Sequence, residues 1–306
     1  MRICLVTSLF VLVAAAVGCD RGVPLAADSV SVSGSSDSFN PTVDDAPSVP
    51  VSMESQNDEV RLIAWNVESN GNDPSVIAEQ IAQFSGCGVL CLSEVDSRNL
   101  ERYAGALSGQ YRAVNGETGR SDRLQIIVNT ERFELLESRE MAQYGEYLLN
   151  KGNHRSPLYV RLKDRRLGHE FIVMTNHLAR GNAEFRQAQA VGLREWARDQ
   201  SVGVIALGDF NMDYDYRSMK GNKAFDEMLR DHVWSWLKPV EFIDTNWADR
   251  DGDGKDNYPD SMLDLAFLAG GAKDWEIECK VIVRPGDFPD DASTSDHRPI
   301  ELRLSN

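Results

Sequence analysis

The sequence predicts an α/β fold in which buried strands alternate with helices and with a run of antiparallel strands. Apolar, β-branched stretches of strand length recur along the chain, among them residues 62–67, 88–94 and 171–177. Residues 183–200 have the amphipathic spacing of a helix and lead directly into another such strand. Between residues 124 and 162 the short apolar runs lie too close together for intervening helices, which indicates antiparallel pairing.

Length and charge bound the domain count and the partners. The 306 residues can bury a sizeable core, and one large domain plus a tail fits as well as two domains. The net charge of −16 divides into +1 over residues 1–19 (one arginine), −7 over 20–59 (eight acids, one arginine) and −10 over 60–306. Because residues 60–306 are so acidic, they repel a phosphate backbone unless divalent cations intervene. This disfavours a passive nucleic-acid-binding module, but not a metal-dependent nuclease.

Residues 1–19 predict an export signal. Arg2 precedes an apolar run that ends at Val17, is short for a bilayer span, and is typical of a secretory signal peptide. The run closes on a sequence similar to a bacterial lipoprotein cleavage box, with Ala16 where leucine is usual. Cys19 would then be the lipidated first residue of an exported protein, membrane-anchored and facing the periplasm or the exterior. The alternative is an ordinary cleaved signal with an incidental cysteine.

Residues 20–59 predict a disordered tether, because they are rich in Ser, Asp, Val and Pro and carry almost no aromatic residue. We expect order to begin near Val60, which gives a folded domain over 60–306. It contains Cys87, Cys91 and Cys279, and this odd number implies no disulfide framework. We interpret them as small buried thiols.

The elements of the domain follow in order. After the strand 62–67, Asp73 caps a helix that has Pro74 at its first position, and a short helix is predicted over 98–107 after the strand 88–94. The other predicted strands are 124–128, 133–136, 156–162, 171–177, 203–209, 262–268, 276–283 and 300–304, and the other predicted helices are 183–200 and 223–233.

Polar residues stand at or just beyond the ends of several of these strands. One such strand end is ordinary turn chemistry, but its repetition indicates a shared site. The residues are Asn66, Glu94, His177, Asp209, Asn211, Asp264, Asp296 and His297.

The motifs around these residues resemble those of the endonuclease/exonuclease/phosphatase superfamily, the DNase I-like hydrolases. The matching pieces run in the family's order from residue 60 to the C-terminus: Trp65-Asn66-Val67, Ser93-Glu94-Val95, Thr175-Asn176-His177-Leu178, Gly208-Asp209-Phe210-Asn211, Leu263-Asp264 and Ser295-Asp296-His297. The resemblance implies a four-layer α/β sandwich, with two mixed β-sheets packed face to face and helices outside. It also implies that the site lies where the strand ends meet.

Phosphodiester hydrolysis requires a cation at the phosphoryl oxygens, a positioned water and help for the leaving oxygen. Glu94 suits a hard ion such as Mg²⁺, or Mn²⁺ in its place. The resemblance places Asn66 beside the metal, and Asp296 is a candidate second ligand. Asp209 is predicted to orient or deprotonate the attacking water, and Asn211 to hydrogen-bond that water or a phosphoryl oxygen.

Asp264 and His297 are predicted to form a pair in which the carboxylate orients the imidazole. Either a protonated His297 stabilises a phosphoryl oxygen, or the pair acts as the base. His177 favours the DNase I-like, sphingomyelinase-like and related phosphodiesterase branches, since AP endonucleases of DNA repair carry tyrosine there. Arg155 is either a phosphate-contacting cation or a surface arginine.

An acidic stretch is similar to an EF-hand Ca²⁺ loop. Asp249, Asp251, Asp253 and Asp260 occupy loop positions one, three, five and twelve, with glycine at six. Glutamate is usual at position twelve, Pro259 precedes it, and no clear helix flanks the loop. The alternative to a Ca²⁺ site is a solvated acidic turn.

The leading hypothesis is therefore an exported, lipid-anchored, Mg²⁺-dependent phosphodiesterase or nuclease, expected to be a monomer. A second hypothesis is a sphingomyelinase-like phospholipid hydrolase or a phosphomonoester hydrolase. It would use residues 234–237 as an apolar loop for entering a membrane, unless these aromatic side chains belong to the core. A hypothesis of another class is an inactive cell-surface binding domain. The presence of every acid, amide and histidine named above opposes it.

Overall fold

Two mixed β-sheets of six strands each lie face to face in the computed structural model, which describes residues 59–306 except 153, 250, 259, 288–292 and 306. The predicted signal peptide, Cys19 and the tether as far as residue 58 lie outside the described residues. They stay predictions, as do the domain limits.

The strands are, in chain order, β1 (Val60–Asn66), β2 (Val89–Val95), β3 (Tyr111–Asn115), β4 (Arg123–Asn129), β5 (Phe133–Glu140), β6 (Gln143–Tyr144), β7 (Tyr147–Leu148), β8 (Leu158–Asp164), β9 (Glu170–His177), β10 (Gly203–Tyr214), β11 (Trp234–Trp236), β12 (Met262–Ala269), β13 (Ile277–Val281) and β14 (Ile300–Leu304). The first sheet has the order β13-β14-β1-β2-β4-β3 and the second β11-β12-β10-β9-β8-β5, while β6 and β7 pair with each other. The α-helices are α1 (Pro74–Ala82), α2 (Leu100–Ala104), α3 (Ala183–Arg198) and α4 (Lys223–Leu229).

Successive side chains of β1 point to opposite faces of the sheet, and this shows how the layers form. Leu62 and Ala64 belong to the core between the two sheets. Ile63 and Trp65 point to the other face and pack with Ile77 of α1. Because successive side chains of a strand point to opposite faces, a strand that is apolar at every position needs a layer on both sides. The predicted four-layer α/β sandwich is confirmed.

Helix α1 begins as predicted. The side chain of Asp73 accepts a hydrogen bond from the backbone N–H of Ser75 at 2.8 Å, and Pro74 occupies the first turn. The helices predicted over 98–107 and 223–233 are shorter than expected: α2 covers five residues, and α4 ends at Leu229 before a 3₁₀ turn.

The aromatic stretch at residues 234–237 is part of the second sheet. Trp234 and Trp236 lie in β11, which pairs with β12, and Trp234 is fully buried. The interpretation of these side chains as core is correct for Trp234. The three buried cysteines are free thiols, also as expected. Among the described residues, no helix has the length and apolar character needed to cross a bilayer.

Candidate active site

Strand pairing brings the predicted polar side chains to one edge of the sandwich. β1 is parallel to β2 and β9 is parallel to β10, so the carboxyl ends of each pair lie side by side. In the second sheet Asp209 lies opposite His177 of β9 on one side and opposite Asp264 of β12 on the other. The register of the sheet thus places these three residues in one row.

Asn66 connects the two sheets at this edge. Its side-chain Nδ2 donates hydrogen bonds to Glu94 Oε1 at 3.1 Å and to Asp209 Oδ2 at 3.0 Å. Its Oδ1 accepts the backbone N–H of Glu68 at 3.0 Å, which fixes the orientation of the amide. Asn66 therefore presents its nitrogen to the carboxylates and holds two of them in place.

Glu94 and Asn211 have backbone conformations that side chains rarely adopt, with φ of 54° and 51°. Each lies in a bulge where its strand shifts register against a neighbour. Bulges redirect side chains, and strained residues of this kind concentrate at functional sites. The backbone N–H of Asn211 donates to Asp209 Oδ1 at 2.9 Å, and its Nδ2 donates to the carbonyl of Leu178 at 3.1 Å.

His177 lies among three carboxylates. Its Nε2 is 3.4 Å from Asp209 Oδ2 and 3.6 Å from Glu94 Oε1, and its Nδ1 is 3.6 Å from Asp122 Oδ1. Arg155 Nη1 forms an ion pair with Asp122 Oδ2 at 2.9 Å. Burial opposes ionisation of Asp122, but the interactions with His177 and Arg155 outweigh it and lower the pKa of this carboxyl.

His297 lies on the other side of Asp209. Its Nδ1 is 2.7 Å from Asp264 Oδ2, and its Nε2 is 4.0 Å from Asp209 Oδ2. Burial favours the neutral ring, but the charge and hydrogen bond of Asp264 raise the pKa of His297 well above its usual range. With its ring protonated, His297 directs an N–H towards Asp209.

Ser295 holds the loop that carries His297. Its Oγ donates to the carbonyl of Asn66 at 2.6 Å and accepts the backbone N–H of His297 at 3.0 Å. Trp65 Nε1 donates to the carbonyl of His297 at 2.8 Å. These bonds tie the loop to the end of β1, so both sheets fix the imidazole.

Negative charge accumulates beside Asn66. Glu68 Oε2 accepts the backbone N–H of Asp296 at 3.0 Å. Burial, together with the charge of Asp296, raises the pKa of Glu68 to about 7. Burial also raises the pKa of Asp296, and the charge of Glu94 adds to this rise while that of His297 opposes it. The carboxylates repel one another, and a bound cation would relieve that repulsion.

This donor set fits a hard divalent cation. Ligand atoms of Glu94, His177 and Asp209 all lie within 4.8 Å of one another, and the carboxylates of Glu68 and Asp296 lie nearby. Carboxylate oxygens are the ligands that Mg²⁺ and Mn²⁺ prefer. The residues of this site can therefore hold such an ion.

The sequence reasoning missed Glu68 and Asp122. Glu68 could have been found from the sequence, because it lies two residues beyond Asn66 of the Trp65-Asn66-Val67 motif. No sequence pattern identified Asp122. It lies in a polar turn before β4, and only the tertiary structure brings it close to His177. Arg155 is at the site, where it contacts Asp122.

The acidic loop forms a second cluster of carboxylates. Ligand atoms of Asp249, Asp251 and Asp253 lie within 4.8 Å of one another, as the loop spacing predicts. Asp249 also accepts backbone N–H groups, at 2.6 Å from Gly252. The carboxylate of Asp260 pairs with Arg217. Ca²⁺ binding by this loop stays a prediction.

Residues 63–297 match the model of the Endonuclease/Exonuclease/phosphatase family. The fold and the match over this span show that the chain belongs to that family, as the motifs indicated. No curated protein matches the sequence.

Solved structures share the fold at low sequence identity. TDP2 of D. rerio, complexed with a single strand DNA product, is 16% identical with a TM-score of 0.63, over 81% of this chain and 100% of that one. A mannosyl-6-phosphatase of Bacteroides thetaiotaomicron is 17% identical with a TM-score of 0.57, over 81% and 100%. The human Nocturnin catalytic domain with bound sulfate is 18% identical with a TM-score of 0.56, over 81% and 93%.

Proposed function

We propose that this protein is a Mg²⁺- or Mn²⁺-dependent phosphoesterase that hydrolyses phosphodiester bonds. The observation that carries the proposal is the position of Asp209. Its Oδ2 faces the imidazoles of His177 and His297, and each imidazole has a carboxylate at its other nitrogen. This arrangement suits proton transfer from water beside a phosphoryl group.

Each side chain has a role in the proposed reaction. A divalent ion, held by Glu94 with Glu68 and Asp296, would supply charge neutralisation at the phosphoryl oxygens. Asp209 accepts the proton of the attacking water, and Asn66 keeps Asp209 and Glu94 in register.

The remaining site residues act on the phosphate oxygens or on Asp209. His297, protonated and backed by Asp264, donates a hydrogen bond to a phosphoryl oxygen. His177, with Asp122 at its Nδ1, places its Nε2 beside Asp209. Asn211 positions Asp209 through its backbone N–H. Because all these groups lie on strands or on a tied loop, the site is organised before substrate arrives.

The alternatives have less support. Burial of Trp234 in the second sheet removes the feature that favoured a membrane-inserting lipid hydrolase. An inactive binding domain has no need of two aligned imidazole–carboxylate pairs. The solved neighbours differ in what their titles name, a DNA product in one case and a mannosyl-6-phosphatase in another, and support only the general class.

Hydrolysis of bis(p-nitrophenyl) phosphate by the purified protein tests this function. We expect Mg²⁺ or Mn²⁺ to support turnover and EDTA to abolish it. Asp209→Asn should lower kcat by a factor of about 10² or more. Glu134→Gln is a matched control, because it removes one carboxylate charge from an exposed position of β5. Full activity in EDTA, or in Asp209→Asn, would contradict the proposal.

We also propose that the full-length protein is exported and anchored through Cys19, on the strength of its N-terminal sequence. Cys19→Ser should move the protein from the membrane fraction to the soluble fraction, while a cytoplasmic marker stays unchanged. Equal membrane association of both forms would exclude the lipid anchor.

A further inference from the structure

A cavity with several polar side chains in its lining lies beside the reaction centre. Its volume is about 330 Å³, and its walls include Arg180, Asp213, Asn246, Tyr258 and Asp260. This volume is at the small end of the range for ligand pockets, which begins near 300 Å³. We refer to it as the side pocket.

The side pocket is connected to the catalytic residues through backbone contacts and short stretches of chain. Asn246 forms a backbone bridge with His297, and the N–H of the next residue, Trp247, donates to the carbonyl of Asp296 at 2.9 Å. Asp213 follows Asn211 by two residues, and Arg180 follows His177 by three. A phosphate ester at the centre would therefore have this pocket nearby.

The two carboxylates named in the side pocket each have a side-chain partner. Asp213 Oδ2 accepts from Asn222 Nδ2 at 2.8 Å and lies 3.5 Å from Arg186 Nη2. Asp260 pairs with Arg217 through its Oδ2. Among the described residues, no hydrogen bond reaches Oδ1 of either carboxylate. Each acid therefore keeps one acceptor oxygen available, while the neighbouring arginines offset its charge.

Asn246 independently indicates that the side pocket receives a ligand. Its side chain is 5% exposed, and its Oδ1 has no hydrogen-bond partner among the described residues. A buried amide oxygen without a donor is costly and rare in folded proteins. A hydroxyl group in the pocket would supply the missing donor.

The residues that line the side pocket favour some classes of substrate alcohol over others. Arg180 is the only cation among the described lining residues, whereas a polynucleotide needs several cations for its phosphates. The guanidinium of Arg180 lies 4.9 Å above the ring of Tyr258, where a quaternary ammonium group would otherwise bind. A neutral group with several hydroxyls meets neither of these obstacles.

We propose that the side pocket binds the alcohol part of the phosphoester and selects a neutral polyol, such as a sugar, over a polynucleotide. This inference rests on the proposed phosphoesterase function. The hydroxyls of the polyol donate to Asp213, Asp260 and Asn246, and they accept from Arg180.

Two matched pairs of substrates test the selection with Mg²⁺ present. One pair is the methyl diester of a hexose 6-phosphate and methyl ethyl phosphate, and the other is bis(glyceryl) phosphate and diethyl phosphate. We expect kcat/KM for the polyol ester to exceed that for the alkyl ester by at least about tenfold in at least one pair. A single-stranded oligonucleotide should be a poorer substrate than that polyol ester. Equal rates within both pairs, or preference for the oligonucleotide, would contradict the inference.

The double variant Asp213→Asn/Asp260→Asn tests the residues. Asparagine tolerates the positive φ of 44° at position 213. We expect the ratio of polyol to alkyl kcat/KM to fall at least about fivefold. In the charge-matched control Glu134→Gln it should stay within about twofold. An unchanged ratio in the double variant would show that these acids do not contact the substrate.

Polyol binding also tests the side pocket without turnover. Saturation-transfer NMR with sorbitol should give signals with the unmodified protein and weaker ones with the double variant. No signal with the unmodified protein would overturn the inference. Failure to hydrolyse bis(p-nitrophenyl) phosphate would instead contradict the phosphoesterase function, so the two failures are distinguishable.

Discussion

Asp122 Oδ1 lies 3.6 Å from Nδ1 of His177, on the side of the ring opposite Asp209. Asp264 lies at the corresponding nitrogen of His297 at 2.7 Å, a hydrogen bond, whereas Asp122 is beyond hydrogen-bond distance of His177. Asp209 therefore lies between two imidazoles, each with its own carboxylate. A carboxylate at Nδ1 fixes the ring orientation and keeps the proton on that nitrogen.

Removing the carboxylate behind His177 should impair catalysis more than binding. We expect Asp122→Asn to lower kcat by about 10- to 100-fold, because His177 loses its orienting partner. KM should change by no more than about twofold. Steady-state kinetics on bis(p-nitrophenyl) phosphate measure both constants, with Glu134→Gln as control. A rise in KM at constant kcat would assign Asp122 to substrate binding.

Glu94 should determine the affinity for the metal. Glu94→Gln keeps the shape of the side chain and its contact with Asn66 but removes the charge. We expect the Mg²⁺ concentration for half-maximal activity to rise by at least about tenfold. A titration of activity with Mg²⁺ measures this shift. If Glu94→Gln and Glu134→Gln give the same curve, Glu94 does not bind the ion.

Gly208 precedes Asp209 and cannot carry a side chain. Its φ is 125°, and a Cβ there would lie 2.6 Å from the backbone oxygen of Asn176. Gly208→Ala should lower the free energy of unfolding by about 2 kcal/mol or more. Gly145→Ala is the control, because Gly145 has φ of 55° but no atom near the added methyl. Denaturant unfolding should show a larger loss for Gly208→Ala, and equal losses would refute the steric account.

Glu301 makes stability depend on pH in the acid range. Burial opposes its ionisation, but hydrogen bonds from Lys280, Arg303 and Arg61 lower its pKa from 4.5 to about 2. The stabilisation is complete above the unfolded pKa of 4.5 and is lost as the pH falls towards 2. The ionised carboxylate of Glu301 contributes at most about 3 kcal/mol to the free energy of unfolding.

Denaturant unfolding of the unmodified protein and of Glu301→Gln between pH 7 and pH 3 measures this contribution. The difference in unfolding free energy should be largest near pH 7 and shrink as the pH falls below 4.5. Glu134→Gln should show no such trend. A difference for Glu301→Gln that is constant with pH would contradict the role of the ionised carboxylate.

The sequence motifs, through their family resemblance, predicted the two-sheet fold, and they named most of the residues that the structure brings together at the candidate site. Strands that end in Asn66, Glu94, His177 and Asp209 are informative because carboxyl ends of neighbouring parallel strands meet at one edge. The start of α1 at Asp73 was also predictable from the local sequence, since a capping residue acts on the turn that follows it. Helix ends were less predictable, because packing rather than propensity decided where α2 and α4 stop.

Only the tertiary structure revealed the partners of these residues. Asp122 and His177 are 55 residues apart, and Asn66 and Asp209 are 143 apart, so no local periodicity connects them. The bulges that redirect Glu94 and Asn211 arise from pairing with other strands, and the side pocket joins loops from four parts of the chain. Local sequence set which residue types stand at the strand ends. Long-range strand pairing and loop contacts decided which atoms face one another.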